Sequence, residues 1–262
     1  MAEFSRSSLS VTLSVWKALL LREALTRVSG GRAPWAWLVL EPVVHIFFLA
    51  FVMLVVRQRL VAGIDTLSWI VSGLLGFFLF RRTAFQCANA ISGNSALFSY
   101  RQVHPVDTVI VRFVLEGALM ILIACAVYLG VVLAGLGSLP GDPLLVVASA
   151  FLLWVFGLGV GLAMSVGIEL IPEVDHLFKF AMTPLYLVSG VVFPIALVPQ
   201  PYRDWLLLNP IAHGLEGLRL GISPYYHVVP GLSLEYLFYL SMCSVFFGLA
   251  LHRKFAKRLV AL

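Results

Sequence analysis

Ionisable side chains embedded in apolar runs are where chemistry would sit in this chain. Glu41 and His45 lie one helical turn apart in a greasy stretch, so a helix puts them on one face. Arg81 and Arg82 follow the run Phe77, Phe78, Leu79, Phe80, and Arg112 and Glu116 are again one turn apart. A charge in lipid is costly unless it is paired or wetted. Each of these groups is therefore a candidate for a substrate path, a headgroup contact or a structural ion pair. The spacing predicts that Glu41 and His45 bond each other or a neighbouring helix, with a path role or a hinge at Pro42 as the alternative. It predicts that Arg112 pairs with Glu116. Arg81 and Arg82 read either as snorkelling to an interface, which is favoured, or as meeting an anionic headgroup.

Other chemistry is missing from the sequence. There is no G-x-x-x-x-G-K-[ST] phosphate loop, no H-E-x-x-H, no Cys-x-x-Cys and no G-x-S-x-G. Gly157, Gly159 and Gly161 superficially resemble a nucleotide fingerprint but sit in the middle of an apolar run, where small residues serve close helix packing. Cys87, Cys125 and Cys243 lie in apolar runs without metal-ligand spacing, so they read as packing residues, and no metal is expected.

The elements that must hold these residues follow from composition. The chain has 262 residues, is 61% hydrophobic and 12% charged, and has a mean hydropathy of +0.99. That charged share is about half the ~25% of a soluble domain. Runs of this apolarity read as membrane spans. The net charge of +5 is spread in a way that predicts topology and not a nucleic-acid partner.

The expected fold is an all-α polytopic membrane protein. An N-terminal segment, 1–34, carries an amphipathic interfacial helix on which Leu9, Leu13, Trp16, Leu20, Ala24 and Val28 form a stripe flanked by Lys17, Arg22, Arg27 and Arg32. A transmembrane domain, 35–262, follows, with spans near 35–56, 68–90, 108–134, 143–168, 177–197 and 232–252. Of the 18 Lys and Arg, Arg57, Arg59, Arg203 and Arg219 fall on one side and the other fourteen, Arg6 among them, on the opposite side. The positive-inside rule then makes both termini, and the loop 91–107, cytoplasmic.

Between Pro184 and Pro230 the chain carries seven of its 13 prolines, and its helical pieces, 202–208 and 213–220, are too short to span. Broken helices at membrane depth need protein or a wet cavity around them. They are expected at the outer mouth of a pathway, the alternative being a plain external loop. Aromatic rings at Phe77, Phe80, Phe151, Trp154, Tyr186 and Phe193 could offer flat faces to sugars along such a path, or simply pack.

Three stretches together resemble a known family. "LFSYRQVHPVDTVIVR", Leu97 to Arg112, is similar to the cytoplasmic loop of the permease subunit of capsular polysaccharide ABC exporters, the KpsM type within the ABC-2 superfamily. "LNPIAHGLEGLR", with Asn209, Pro210, His213, Glu216 and Arg219, resembles the superfamily pattern before the last span. "LREALTR" and "WAWLVLEPVVH", with Glu41, Pro42 and His45, resemble its interfacial helix and first span. The resemblance implies an ABC-2 (type V-like) exporter fold, with the outer pieces as re-entrant helices. It implies a homodimer in which each subunit docks a separate ABC ATPase, two copies in all. ATP and magnesium would then sit on that partner, and no cofactor or catalytic residue on this chain.

The resemblance makes Leu97, Phe98, Tyr100, Arg101, His104, Pro105 and Asp107 the ATPase-coupling residues. Its implied cargo is a lipid-linked acidic polysaccharide, crossing the inner membrane of a Gram-negative bacterium at the dimer interface. A periplasmic co-polymerase or adaptor and an outer-membrane export protein are the further implied partners. On this reading Asn94 or Ser92 caps a short helix through Tyr100, Pro105 ends it, and Asp107 caps the next span. Alternatives are an O-antigen, teichoic-acid or drug exporter permease, a membrane-embedded lipid-modifying enzyme, and a structural assembly partner.

Overall fold

The computed structural model describes residues 8–29, 34–55, 60–137 and 139–260. Arg6, Arg32, Arg57 and Arg59 lie outside them, as does the side chain of Val28. Among the described residues the protein is helical apart from one short hairpin.

The bundle is built around α3, Thr66–Ala88. Asp65 starts it by accepting a hydrogen bond from the Ser68 N–H at 2.7 Å. From Ser68 to Phe80 its side chains are apolar or small on every face and all are buried, with Trp69, Ile70, Leu74, Phe77, Phe78 and Phe80 in the core. Around it pack α2 (Pro34–Val55), α4 (Pro105–Leu133), α5 (Pro143–Leu170) and α8 (Pro210–Ile222); α9 (Leu234–Val260) lies against α5. The glycines of α5 make these contacts close. A Cβ at Gly159 would lie 2.0 Å from Ser244 Oγ of α9, and one at Gly161 would lie 2.3 Å from Cys87 Cβ of α3. That is the small-residue packing predicted for this run.

Three described helices, α4, α5 and α9, are long and apolar enough to cross a membrane. Their outward leucines and phenylalanines, such as Leu122, Leu133, Phe246 and Phe247, have no cover within the subunit.

Two local expectations are corrected. The span placed at 177–197 is α6, Glu173–Val188, and its 16 residues rise only about 24 Å. Gly190 then turns the chain with φ +75°, and Pro194 precedes a single 3-10 turn, Ile195–Leu197. The link after α2 contains a hairpin, β1 Leu60–Val61 paired antiparallel with β2 Ile64–Asp65. Its turn residue Gly63 has φ +91°, and a Cβ there would meet the Tyr225 carbonyl oxygen at 2.1 Å. On the helix α1, Ser8–Ser29, Leu9 and Leu13 of the apolar stripe are exposed, whereas Trp16 bonds Asp107 and Leu19 and Glu23 are buried. Charged residues occupy its inner face because partners await them there.

Candidate functional site

The segment between α3 and α4 is held by a few anchors. Residues Ser92–Ser99 form a 3-10 helix whose N-cap position, Ile91, makes no side-chain capping bond. The expected cap from Asn94 or Ser92 is therefore not made; Asn94 points inward and is buried. Phe98 packs into an apolar cluster with Cys87, Ile91 and Val109. Tyr100, Arg101 and His104 face outward, with Tyr100 65% exposed. Pro105 opens α4, and Asp107 Oδ2 accepts the His104 N–H at 2.9 Å, as expected for a capping carboxylate. Its other oxygen accepts from Trp16 Nε1 of α1 at 2.8 Å.

Beside this segment lies a cluster of ions in which three carboxylates are shared among five arginines. Glu23 of α1 takes Arg112 Nε at 3.1 Å, with Arg22 at 3.7 Å. Glu116 of α4 takes Arg27 at 2.5 Å and Arg82 at 3.6 Å. Glu41 of α2 takes Arg81, and Arg82 at 3.3 Å. Arg112 also donates to the Asn89 and Gln86 carbonyls at 2.7 and 3.3 Å, closing acceptors left open where α3 ends.

Two predictions are corrected here. Arg112 and Glu116 do not pair, because each finds a partner on α1. Arg81 and Arg82 do not snorkel away; both grip Glu41, and Arg81 lies over the Phe78 ring at 4.8 Å. Glu41 thus bonds a neighbouring helix, one of the two arrangements expected, and not the His45 ring; His45 Nδ1 is 3.1 Å from the Glu41 backbone oxygen. A cavity lined by Leu40, Glu41, Val44 and His45 opens at this point on α2.

Glu23 is buried, and burial raises its carboxyl pKa. Arg112, a hydrogen bond from Asn94 and the charge of Arg27 outweigh that and hold it below its ordinary value.

The Asn-Pro motif builds the opposite end of the bundle. Asn209 caps α8 by accepting the Ile211 N–H at 3.1 Å, and Pro210 takes the first helical position. The Asn209 amide also donates to Ser189 Oγ at 2.8 Å, tying α8 to the end of α6. Inside α8, Arg219 and Glu216 form an ion pair at 2.9 Å with neither side chain exposed. Arg219 also donates to the Gly190 carbonyl at 2.8 Å and lies 4.0 Å over the Trp69 ring; Tyr226 donates to the other Glu216 oxygen at 2.8 Å. His213 Nε2 is 2.7 Å from the Leu207 carbonyl, and its Nδ1 accepts the Ser233 N–H at 3.0 Å.

The candidate path aromatics divide by burial. Phe77 and Phe80 are core residues, packed on Tyr186 and Phe156, so neither ring faces outward. Trp154 stacks on Phe113 at 4.2 Å and donates to the Phe113 carbonyl at 3.1 Å. Phe151 and Phe193 are the exposed ones.

A family model described as ABC-2 type transporter matches residues 14–222, from α1 through α8. The chain belongs to this family. ABC-2 relatives resemble it along nearly its whole length. The Escherichia coli polysialic acid transport protein KpsM is 32% identical over 249 residues, 95% of this chain and 96% of the relative. The Neisseria meningitidis serogroup B capsule polysaccharide export inner-membrane protein CtrC is 25% identical over 256 residues, 95% of this chain and 94% of the relative. The Haemophilus influenzae capsule polysaccharide export inner-membrane protein BexB is 25% identical over 257 residues, 96% and 95%.

Within this ABC-2 chain, sequence reasoning missed Glu23 and Gln86 and gave Trp16 and Asn94 other roles; all four bond residues it did single out. One signal was present. Trp16, Leu19, Glu23 and Arg27 recur at helical spacing, so the buried face of α1 was written beside the apolar stripe.

Proposed function

We propose that this chain is the inner-membrane permease of an ATP-driven exporter that moves lipid-linked, acidic capsular polysaccharide out of the cytoplasm. The observation that carries the reading is similarity, over some 95% of the chain, to inner-membrane and transport proteins of capsule systems. The chain spans the membrane six times with both termini in the cytoplasm; α2, α3, and α6 continued by the irregular chain to Leu197, supply the spans besides α4, α5 and α9. Two copies form the path between them, and each docks one ABC ATPase subunit that binds ATP and magnesium. A periplasmic adaptor and an outer-membrane export protein receive the polymer.

The geometry of the 92–107 segment supports a docking role. Phe98 and Asp107 anchor it inward, while Tyr100, Arg101 and His104 project from a short rigid element joined directly to α4. An exposed aromatic beside an exposed arginine is the composition of a contact hot spot. Glu41, His45, Arg81 and Arg82 at one end of the bundle, with Phe151 and Phe193 as exposed rings, are the path residues of this reading.

Deletion of the gene tests the function. Polymer should accumulate inside the cell while synthesis continues; a normal surface capsule would refute the reading. For docking, Tyr100→Ala and Arg101→Ala should leave the chain in the membrane but strip it of the co-purifying ATPase and of export. Unchanged binding and export in both would remove the docking assignment.

A further inference from the structure

The last helix ends in basic residues that the site described above does not use. Arg253, Lys254, Lys257 and Arg258 follow directly on the apolar part of α9, and all four are exposed. Among the described residues none of them forms an ion pair, unlike the arginines around Glu23, Glu41 and Glu116. A basic cluster where a membrane helix leaves the bilayer attracts anionic lipid. Attraction alone makes no site, but here it meets a cavity.

That cavity, about 360 Å³, opens between this end of α9 and the start of α4. Its size falls in the range of ~300–1,000 Å³ usual for small-molecule sites. Leu249, Arg253, Ala256 and Val260 recur at three- and four-residue spacing, so one face of α9 supplies a wall with a guanidinium among apolar side chains. Across from it lie His104, Pro105 and Val106, at the N-terminus of α4, where the helix dipole favours an anion. Leu249 is exposed, as are Phe246 and Phe247 just before it, so apolar surface runs unbroken from the bilayer-facing part of α9 to the cavity.

Two further groups in the wall bear on what fits. Asp107 would repel an anion, but both its oxygens are turned to protein donors, the His104 N–H and Trp16 Nε1. His252 is buried. Ser165 Oγ of α5 donates to the Leu162 carbonyl at 2.9 Å, so it takes the Nε2–H of His252, also at 2.9 Å. Nδ1 is left as an acceptor with no partner among the described residues. A headgroup with hydroxyls beside its phosphate carries the donor that this nitrogen lacks. A docked protein surface would match the basic rim as well, but it has no use for an apolar wall continuous with the lipid-facing side of a span.

We propose that this cavity binds an anionic phospholipid. Its phosphate lies on Arg253 at the N-terminus of α4, and its acyl chain runs back along Leu249. The lipid is a resident and not a cargo: it staples the end of α9 to the start of α4 and to the segment before it. Lys254, Lys257 and Arg258 gather such lipids at the surface without lining the site. The site needs this end of the bundle to lie at the membrane surface, whichever polymer the chain carries.

Native mass spectrometry of the full chain, purified in a neutral detergent, tests this. Added phosphatidylglycerol should be retained as one adduct per chain about fivefold better than phosphatidylcholine, the ~1 kcal/mol of one basic residue at an anionic surface. Equal retention of the two lipids overturns the proposal. Arg253→Gln, at an exposed position that folding does not depend on, should erase the preference, whereas Lys254→Gln combined with Lys257→Gln should keep it. Loss of the preference in both variants would mean diffuse attraction to a basic surface, and no site. Displacement of the adduct by millimolar inorganic phosphate would assign the rim to a soluble anion and refute the lipid. With the ATPase captured, the adduct should persist; its loss at that step would make the cavity a protein contact, which also overturns the proposal.

Discussion

The two ends of this bundle handle buried charge in opposite ways. In α8 one arginine meets one glutamate, both fully enclosed; Arg219 also donates to a carbonyl and lies over an aromatic face, while Tyr226 donates to the second Glu216 oxygen. At the other end five arginines share three carboxylates, and Arg22, Arg81 and Glu41 remain partly exposed. A one-to-one enclosed pair has a single low-energy arrangement, since any displacement strands a charge in an apolar medium. A shared, partly wet cluster has several, since each cation can trade one carboxylate for another or for water. The first is a rivet that fixes α8 to α3 and α6. The second is a cluster in which each carboxylate faces two arginines, at the end where an ATPase is proposed to act.

Breaking the rivet should give the largest effect. Arg219→Met leaves Glu216 buried without its cation, at a cost of about 3–5 kcal/mol. The expected outcome is loss of most folded protein from the membrane, read as a fall in the detergent-solubilised monodisperse fraction. The double variant Glu216→Leu, Arg219→Met should recover much of that loss, because no uncompensated charge remains. A double variant as unstable as the single would contradict the rivet description.

A matched pair of glycines sharpens the contrast. A Cβ at Gly73 would lie 2.5 Å from Arg219 Nη2, and one at Gly93 2.6 Å from Arg112 Nη2. The insult is nearly equal, but Arg219 is sealed while Arg112 is partly exposed and can shift. Gly73→Ala should therefore cost about 1–3 kcal/mol, the range for overpacking, and Gly93→Ala markedly less. Thermal unfolding midpoints of the two variants, side by side, check the order; a larger drop for Gly93→Ala would reverse it.

The smallest effect is the pH dependence of the cluster. The Glu23 carboxyl is held below its ordinary value of 4.5, so its contribution to stability is fully present above that value. It is lost as pH falls through the lower folded-state value, when the carboxyl takes up a proton and its bonds to Arg112 weaken. Unfolding midpoints of the native chain and Glu23→Gln should thus differ above pH 4.5 and converge in stronger acid. A gap that persists there would show that Glu23 acts through packing and not through its charge.

The sequence by itself determined the helical, membrane-type architecture, the close packing at Gly157 to Gly161, and the cap at Asp107. These are local properties. Hydrophobic run length, helical period and cap chemistry depend on neighbours within a turn or two. Only the tertiary structure decided which charges meet. Arg112 lies one turn from Glu116 yet bonds Glu23, and Arg81 lies far from Glu41 in the chain yet holds it. The physical reason is that Arg112 and Glu116 each meet an opposite charge on α1 instead of each other. A partner on another helix can be reached inside the bundle, where desolvation makes an unpaired charge intolerable.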